Sequence, residues 1–186
     1  VAAFVKSVPK PVWLISANHG AVDLTAGAFF IVLPYPKAKF DLSYLEITAI
    51  VLVNSLTASI VQPLFGYICD KKPRAWLMPL GCLVTAVTLP LAIFAPSYGI
   101  VLLLIGINGL GSASFHPLGA KTANLVTDYN RKGRSLSVFS MGGSLGAMAG
   151  SVYISALMKL GIGWHIWLYS LPSIVVALSM FRMIPD

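Results

Sequence analysis

Long apolar runs separated by short polar breaks fill most of the sequence. We place six of them at residues 12–35, 44–69, 75–95, 98–127, 134–158 and 164–184. Each run can supply the roughly 20 helical residues that cross a bilayer, and each is much longer than the roughly 10 residues of a membrane-barrel strand. The pattern therefore predicts an all-α integral membrane protein with six transmembrane helices. Ser43, followed by Glu46, fits a capping box at the start of the second helix.

Composition supports the membrane prediction and excludes two other classes. Apolar residues make up 57% of the chain and charged residues only 10%, whereas a soluble domain carries roughly 25% charged residues. The high apolar content also excludes a disordered chain. The net charge of +7 is therefore interpreted by position along the chain, because membrane proteins concentrate Lys and Arg on the cytoplasmic side.

The positive charges are divided unequally between the two sides of the predicted bundle. With the N-terminus inside, all thirteen Lys and Arg residues lie on the inner side except Lys37, Lys39 and Lys159. Lys121 is interpreted as one of these inner charges, and attraction of an anionic substrate is the alternative. The bias predicts a multi-pass protein of the cell (inner) membrane, with both termini of this segment in the cytoplasm.

A charged stretch, G-Y-I-C-D-K-K-P-R-A-W, lies between the second and third predicted helices. Its residues Gly66, Asp70, Lys71 and Arg74 resemble the loop signature that transporters of the major facilitator superfamily carry at this position. The resemblance implies that these four residues gate the cytoplasmic side. It also implies that Gly66 allows close helix packing and that Asp70 begins the third helix.

Two longer blocks narrow the resemblance. Residues 62–81, which include Pro73 in place of the signature's Gly, and G-L-G-S-A-S-F-H-P, residues 109–117, resemble the fosmidomycin-resistance group of that superfamily. Leu118 stands where that group has an acidic residue. The resemblance implies two inverted three-helix repeats that form the N-terminal half of a twelve-helix fold. Residues 1–186 are then a single six-helix bundle, and the C-terminal half is absent.

The resemblance also implies a function. We expect a secondary active transporter, not an enzyme, that exports a small anionic or amphipathic compound, such as a fosmidomycin-like drug, by proton-coupled alternating access. Its expected partners are that substrate, protons, the lipid bilayer and the missing half of the same transporter. No nucleic acid, cofactor or metal is expected.

Asp23 is the candidate residue for proton coupling. It lies near the middle of the first predicted helix, and the other acidic residues all lie at or near span ends. A carboxylate inside a membrane is costly and indicates a functional site. His19, four residues earlier, shares a helix face with Asp23, so the two side chains can share a proton. The alternative is a structural hydrogen-bonded pair between helices.

Other polar residues inside the predicted spans are candidates for the substrate path. Asn108, Ser112 and His116 recur at every fourth position of the fourth helix. Asn18 in the first helix and Asn54 in the second complete the set. Hydrogen bonding between helices is the alternative for the amides and the hydroxyl, and exposure to solvent is the alternative for His116.

The fifth predicted helix contains a run of regularly spaced glycines. Gly142, Gly146 and Gly150 form two overlapping G-x-x-x-G steps, which allow close packing against another helix. The same stretch resembles the antiporter motif of the superfamily, although Ser151 stands where that motif has Pro.

Two other functions fit parts of the sequence. One is a half-size transporter that works as a homodimer. The other is an intramembrane enzyme in which Ser112 or Ser114 is the nucleophile and His116 its base. The sequence shows no third group that would orient the histidine.

The charge distribution generates a test of topology. Single cysteines at Ala38 and Asn130, introduced into a background without Cys69 and Cys82, should react with impermeant reagents from opposite sides of the membrane. We expect Ala38→Cys to be labelled from outside intact cells, and Asn130→Cys only after the cells are opened. Labelling of both positions from outside would contradict the predicted orientation.

Overall fold

The computed structural model describes residues 8–72 and 74–183, and these residues form helices and short connections without a strand. Lys6 of the charge pattern, Pro73 of the loop motif and Ile184 at the end of the sixth predicted span lie outside the described residues.

Eight α-helices account for most of the described residues. They are α1 (Lys10–Val32), α2 (Pro34–Lys39), α3 (Tyr44–Ile60), α4 (Gln62–Lys71), α5 (Leu77–Phe94), α6 (Tyr98–Leu125), α7 (Lys132–Met158) and α8 (Leu171–Met183). Short 3-10 helices cover Tyr129–Arg131 and Trp164–Ser170. The six predicted spans correspond in order to α1, α3 with α4, α5, α6, α7, and the second 3-10 helix with α8.

Five of the described spans are long and apolar enough to cross a membrane, judged by length and composition. The exception is α1, which has 23 residues and is therefore long enough. It is less apolar because Asn18, His19 and Asp23 lie within it. The polar groups that lower its hydropathy are the candidate functional residues.

The second span begins with the predicted capping box and bends near its middle. Ser43 Oγ accepts a hydrogen bond from the Glu46 backbone at 3.3 Å, and Glu46 Oε2 accepts one from the Ser43 backbone at 2.8 Å. The prediction is confirmed. The helix is interrupted at Val61, because Pro63 lacks the N–H that would continue the hydrogen-bond ladder and its ring crowds the preceding turn.

Side-chain hydroxyls satisfy carbonyls that prolines leave without their usual helical donor. Pro90, inside α5, cannot donate to the Ala86 carbonyl, and the Ser170 hydroxyl donates to that carbonyl at 2.6 Å. Pro172 likewise cannot donate to the Leu168 carbonyl, which accepts the Leu171 backbone N–H and a bond from the Tyr153 hydroxyl at 2.8 Å. These bonds hold the sixth span against the third and the fifth, since an unpaired carbonyl in a bilayer is costly.

The helices pair in a pattern that is the same for both halves of the chain. The first span packs on the fifth, the fourth packs on the second, and the third packs on the sixth. Exchanging the first three spans with the last three leaves these pairings unchanged, as expected for two three-helix repeats.

Glycines allow the closest of these approaches. A Cβ on Gly20 would lie 2.9 Å from the Gly142 carbonyl oxygen, and one on Gly27 or Gly146 would overlap the backbone of the facing helix. Absence of a side chain therefore lets α1 and α7 pack backbone to backbone. Gly81 and Gly111 have the same effect where α5 meets α6.

Hydroxyl groups also bind α1 to its neighbours along its length. Four such bonds are described: Ser16 to the Val138 carbonyl at 2.7 Å, Ser151 to the Gly27 carbonyl at 2.8 Å, Ser173 to the Ala21 carbonyl at 2.9 Å, and Tyr169 to the Leu24 carbonyl. The least apolar span is thus the one that protein contacts hold on several sides.

The close approach of α1 and α7 generates a stability prediction. Gly146→Ala should destabilise the purified protein by about 1–3 kcal/mol, as overpacking does, because the new Cβ overlaps the Gly20 backbone. The control is Gly133→Ala on the same helix, where a Cβ meets nothing within 4 Å. Thermal unfolding in detergent measures both. Equal melting temperatures for Gly146→Ala and the unmodified protein would show that α1 and α7 do not need the glycine.

Candidate functional site: a carboxylate between two histidines

Asp23 lies between two imidazole rings from different helices. Its Oδ2 is 3.1 Å from Nε2 of His19, one turn earlier on α1. Its Oδ1 is 3.5 Å from Nε2 of His116 on α6. The side chains keep only 19% of their accessible surface for Asp23 and 27% for His116, so the cluster is largely enclosed. We call these three residues the His–Asp–His cluster.

The other ring nitrogen of His19 fixes the tautomer of that histidine. Nδ1 lies 2.8 Å from the Phe139 carbonyl oxygen on α7. A carbonyl can only accept a hydrogen bond, so Nδ1 carries a hydrogen. In neutral His19 the lone pair of Nε2 then points at Asp23. Two lone pairs at 3.1 Å repel each other, so this contact is favourable only with a proton between the two atoms.

Gly143 on α7 provides the space for this contact. A Cβ at this position would lie 2.6 Å from both Asp23 Oδ2 and His19 Nε2. Phe139, one turn earlier, stacks on the His19 ring with centroids 4.1 Å apart. The fifth span therefore covers the pair, and it contributes a carbonyl and an aromatic face without a side chain that would displace the carboxylate.

His116 has a second partner on its own helix. Its Nε2 lies 3.0 Å from Ser112 Oγ, and the same nitrogen faces Asp23. In a serine-nucleophile triad the carboxylate binds the other ring nitrogen of the base. Ser114, the alternative nucleophile, donates to the Gly111 carbonyl at 2.8 Å. The geometry therefore gives no support to the enzyme alternative.

A cavity of about 220 Å³ adjoins the cluster. α3, α5 and α6 contribute most of its polar lining, and α1 contributes apolar side chains and Thr25. The lining includes Asn54, Ser55, Ser59, Thr85, Asn108, Ser112, Phe29 and Phe30. Ser112 belongs to both places, because it lines the cavity and contacts His116.

The structure brings together most of the polar residues predicted to line a substrate path. Asn54, Asn108 and Ser112 line the cavity, although Asn108 also donates to the Thr85 carbonyl at 3.1 Å and to the Thr88 hydroxyl at 2.9 Å. Hydrogen bonding between helices therefore accounts for part of its role.

Asn18 is placed differently from the other candidates. It is fully buried, and neither atom of its amide has a hydrogen-bond partner among the described residues. It does not line the cavity.

The spacing of the cluster would also admit a metal ion. The ligand atoms of His19, Asp23 and His116 all lie within 4.8 Å of one another. The Phe139 carbonyl and the Ser112 hydroxyl are further hydrogen-bond partners of the two histidines.

The charged stretch between the second and third spans differs from its prediction. Asp70 lies in the last turn of α4 and not at the start of the third helix, because α5 begins only at Leu77. A carboxylate at a helix C-terminus is disfavoured by the dipole. Lys121 of α6 pairs with Asp70 and also approaches the Cys69 carbonyl at 3.4 Å, which offsets that cost.

Other residues of the loop motif have weaker contacts. Lys71 lies over the Tyr67 ring, with Nζ 4.4 Å from its centroid, and Arg74 is exposed. The expected close packing at Gly66 is not observed, since a Cβ there would lie 3.9 Å from Pro117 Cβ, an ordinary contact distance.

The glycine run of the fifth span lies against α1. Side chains at Gly142, Gly146 or Gly150 would overlap the α1 backbone. The run therefore accounts for helix packing in this structure, whatever its further use.

Comparison with known proteins identifies the family. The family model of the Major Facilitator Superfamily matches residues 15–186. The chain belongs to the major facilitator superfamily. The all-helical bundle is accordingly one half of a major facilitator fold, and the chain spans less than half the length of the first two relatives named below.

The relatives are transporters or resistance proteins. The chain is 33% identical to the fosmidomycin resistance protein of Escherichia coli, over 90% of this chain and 42% of that protein. It is 27% identical to an uncharacterized MFS-type transporter, YfnC, of Bacillus subtilis, over 95% of this chain and 45% of the relative. It is also 27% identical to the multidrug transporter DTR1 of Candida glabrata, over 93% of this chain and 32% of the relative. No solved structure gives a significant match.

Three residues that contact the candidate site were not predicted from the sequence to do so. Lys121 was interpreted as an inner charge or as an attractant for an anionic substrate, and not as a partner of Asp70. Gly143 lies outside the glycine repeat, and Phe139 acts through its carbonyl. Only Lys121 gave a usable signal, because it is one of the few cations within a predicted span.

The Asp70–Lys121 pair generates a charge-exchange test. Because both side chains are exposed, 42% for Lys121 and 68% for Asp70, the pair should add under about 1 kcal/mol to stability. Its effect should instead appear in transport. We expect Asp70→Asn and Asp70→Lys to slow transport several-fold at normal membrane levels, and Asp70→Lys combined with Lys121→Asp to recover part of the loss. Normal transport rates in Asp70→Asn and Asp70→Lys would show that the charged stretch only helps to orient the chain in the membrane.

Proposed function

We propose that this chain is the N-terminal half of a secondary active transporter that exports a small compound in exchange for protons. The observation that carries the proposal is the contact between His19 Nε2 and Asp23 Oδ2, which needs one proton to be favourable. A proton held inside the bundle, beside a cavity, is what proton-coupled transport requires. Protonation would then favour one conformation of the transporter over the other.

The substrate proposal rests on the cavity and on the relatives. The lining combines amides and hydroxyls with Phe29 and Phe30, which suits a small amphipathic compound. One relative is named a fosmidomycin resistance protein and another a multidrug transporter. We therefore choose fosmidomycin as the first transported probe for this chain. An anionic group of the substrate would find His116 as the nearest protonatable group beyond Ser112.

A second half of the transporter is needed to cover the polar face of α3. Ser55 and Ser59 are exposed at the open side of the cavity, near the middle of the second span. Polar side chains at this depth face protein or a water-filled cavity in membrane proteins. A second six-helix bundle, from the same transporter, would close the cavity. A second copy of this chain is the alternative occupant and corresponds to the half-size homodimer.

The cytoplasmic gate is proposed to lie at the Asp70–Lys121 pair, with Gly66, Lys71 and Arg74 nearby. The pair joins α4 to α6 at the end of the bundle that the charge pattern places inside. Rocking of the two halves would make and break contacts at this end, giving alternating access.

The proton-coupling proposal predicts the behaviour of Asp23 variants. Asp23→Asn keeps size and hydrogen-bonding capacity but removes the titrating group. In proteoliposomes it should lose fosmidomycin-dependent proton movement by at least tenfold, while exchange of substrate down its own gradient persists. His19→Gln should have a smaller effect and shift the pH optimum of transport.

The matched control is Asp41→Asn. Asp41 lies in the connection before the second span with φ of 51°, a conformation that Asn also tolerates. The Asp41→Asn protein should move fosmidomycin and protons like the unmodified protein. Asp23→Asn protein that still moves protons with substrate at the unmodified ratio would rule out Asp23 as the coupling site and leave the pair as a structural contact.

A further inference from the structure

Ser112 lines the cavity and also contacts His116 of the His–Asp–His cluster. His116 Nε2 lies between two oxygens, Ser112 Oγ at 3.0 Å and Asp23 Oδ1 at 3.5 Å. A single N–H can point well at only one of them. The shorter distance shows that in this structure the ring is closer to the serine.

The two arrangements of His116 differ in what they do for Asp23. When the proton is present, His19 and Asp23 share it and Oδ1 needs no strong donor. When the proton leaves, the His19 lone pair faces a carboxylate, because the Phe139 carbonyl keeps the hydrogen on Nδ1. The carboxylate must then gain a donor elsewhere. In the tautomer with its hydrogen on Nε2, which the proposal below requires, His116 is a donor within reach.

We propose that Ser112 is the switch through which substrate in the cavity releases the proton from Asp23. The inference rests on the proposed proton coupling. A substrate hydroxyl or amide N–H that donates to Ser112 Oγ competes with the imidazole for that oxygen. His116 then turns its N–H to Asp23 Oδ1 and stabilises the carboxylate. The O–H bond of the Asp23 carboxyl breaks, and the proton passes to water on the open side of the transporter.

The direction of coupling follows from this geometry. Substrate binding and proton binding oppose each other at the cluster, which is the requirement for exchange of substrate against a proton. Among the described residues, the titratable groups that contact Asp23 are His19 on α1 and His116 on α6, and α7 offers only Gly143 and the Phe139 carbonyl. Ser112 is thus a positioning residue that acts through His116.

The first experiment needs no substrate. Infrared difference spectra of the purified transporter, recorded over a pH series, measure the carboxylic-acid band that disappears in Asp23→Asn. Ser112→Ala removes the competing acceptor and should leave Asp23 with about tenfold weaker proton binding, the value of one hydrogen bond to a charged group. Ser112→Thr keeps the hydroxyl and should titrate like the unmodified protein. Ser59→Ala removes a cavity hydroxyl that does not contact His116 and should leave the band unchanged.

The second experiment measures proton release when fosmidomycin is added to the same proteins in weakly buffered detergent. We expect release from the unmodified protein and from Ser112→Thr, and at least a fivefold smaller release from Ser112→Ala. If Ser112→Ala does not elute as a folded protein, Ser112→Cys makes the same test, because a thiol is a weak acceptor.

The outcomes separate the two proposals. A carboxyl band that titrates identically in Ser112→Ala and the unmodified protein overturns the switch, even where Asp23→Asn shows that Asp23 binds the coupled proton. Equal weakening in Ser59→Ala and Ser112→Ala also overturns it, because the effect would then belong to the cavity as a whole. Absence of any band that depends on Asp23 contradicts the proton-coupling proposal itself.

Discussion

The backbone contact between α1 and α7 is the interaction on which the rest of the structure depends. Apolar side chains gain little by leaving lipid, so helices in a bilayer associate through close packing and polar contacts. Glycines on both helices allow that packing. The same proximity places the Phe139 carbonyl 2.8 Å from His19 and leaves room for Asp23 beside Gly143. The spacing of the two helices and the geometry of the His19–Asp23 contact are therefore set by the same residues.

The sequence predicted what depends on local spacing. The six spans follow from the length of the apolar runs, the capping box follows from Ser43 and Glu46, and the His19–Asp23 contact follows from a separation of one helical turn. It did not predict which neighbour each helix face meets. Apolar residues occur on most faces of α1 itself. The sequence pattern therefore does not show which face of this helix meets which neighbour. For that reason the contacts of His116 with Asp23 and of Lys121 with Asp70 appear only in the folded chain. The prediction that Asp70 begins the third helix was wrong. The sequence pattern does not show that α5 starts only at Leu77, after a connection of several residues.

The polar character of α1 is compatible with a bilayer because other helices enclose it. Hydroxyls from α7 and from the sixth span donate to its carbonyls, and His19 is covered by Phe115 and Phe139. The helix that is least suited to lipid is thus held by protein contacts on several sides. A span can carry functional polar groups when its neighbours supply the apolar and hydrogen-bonding surface that lipid would not.

The distance along the chain between His19 and the Phe139 carbonyl has a consequence for biosynthesis. The two residues are 120 positions apart, and ribosomes add roughly 5–20 residues per second, so α1 is complete for about 6–24 s before α7 exists. His116 also emerges later than Asp23. Throughout that interval His19 is the partner already present for Asp23, one turn away on the same nascent helix. The carboxylate therefore need not enter the membrane as an isolated charge, because its partner lies on the helix that carries it.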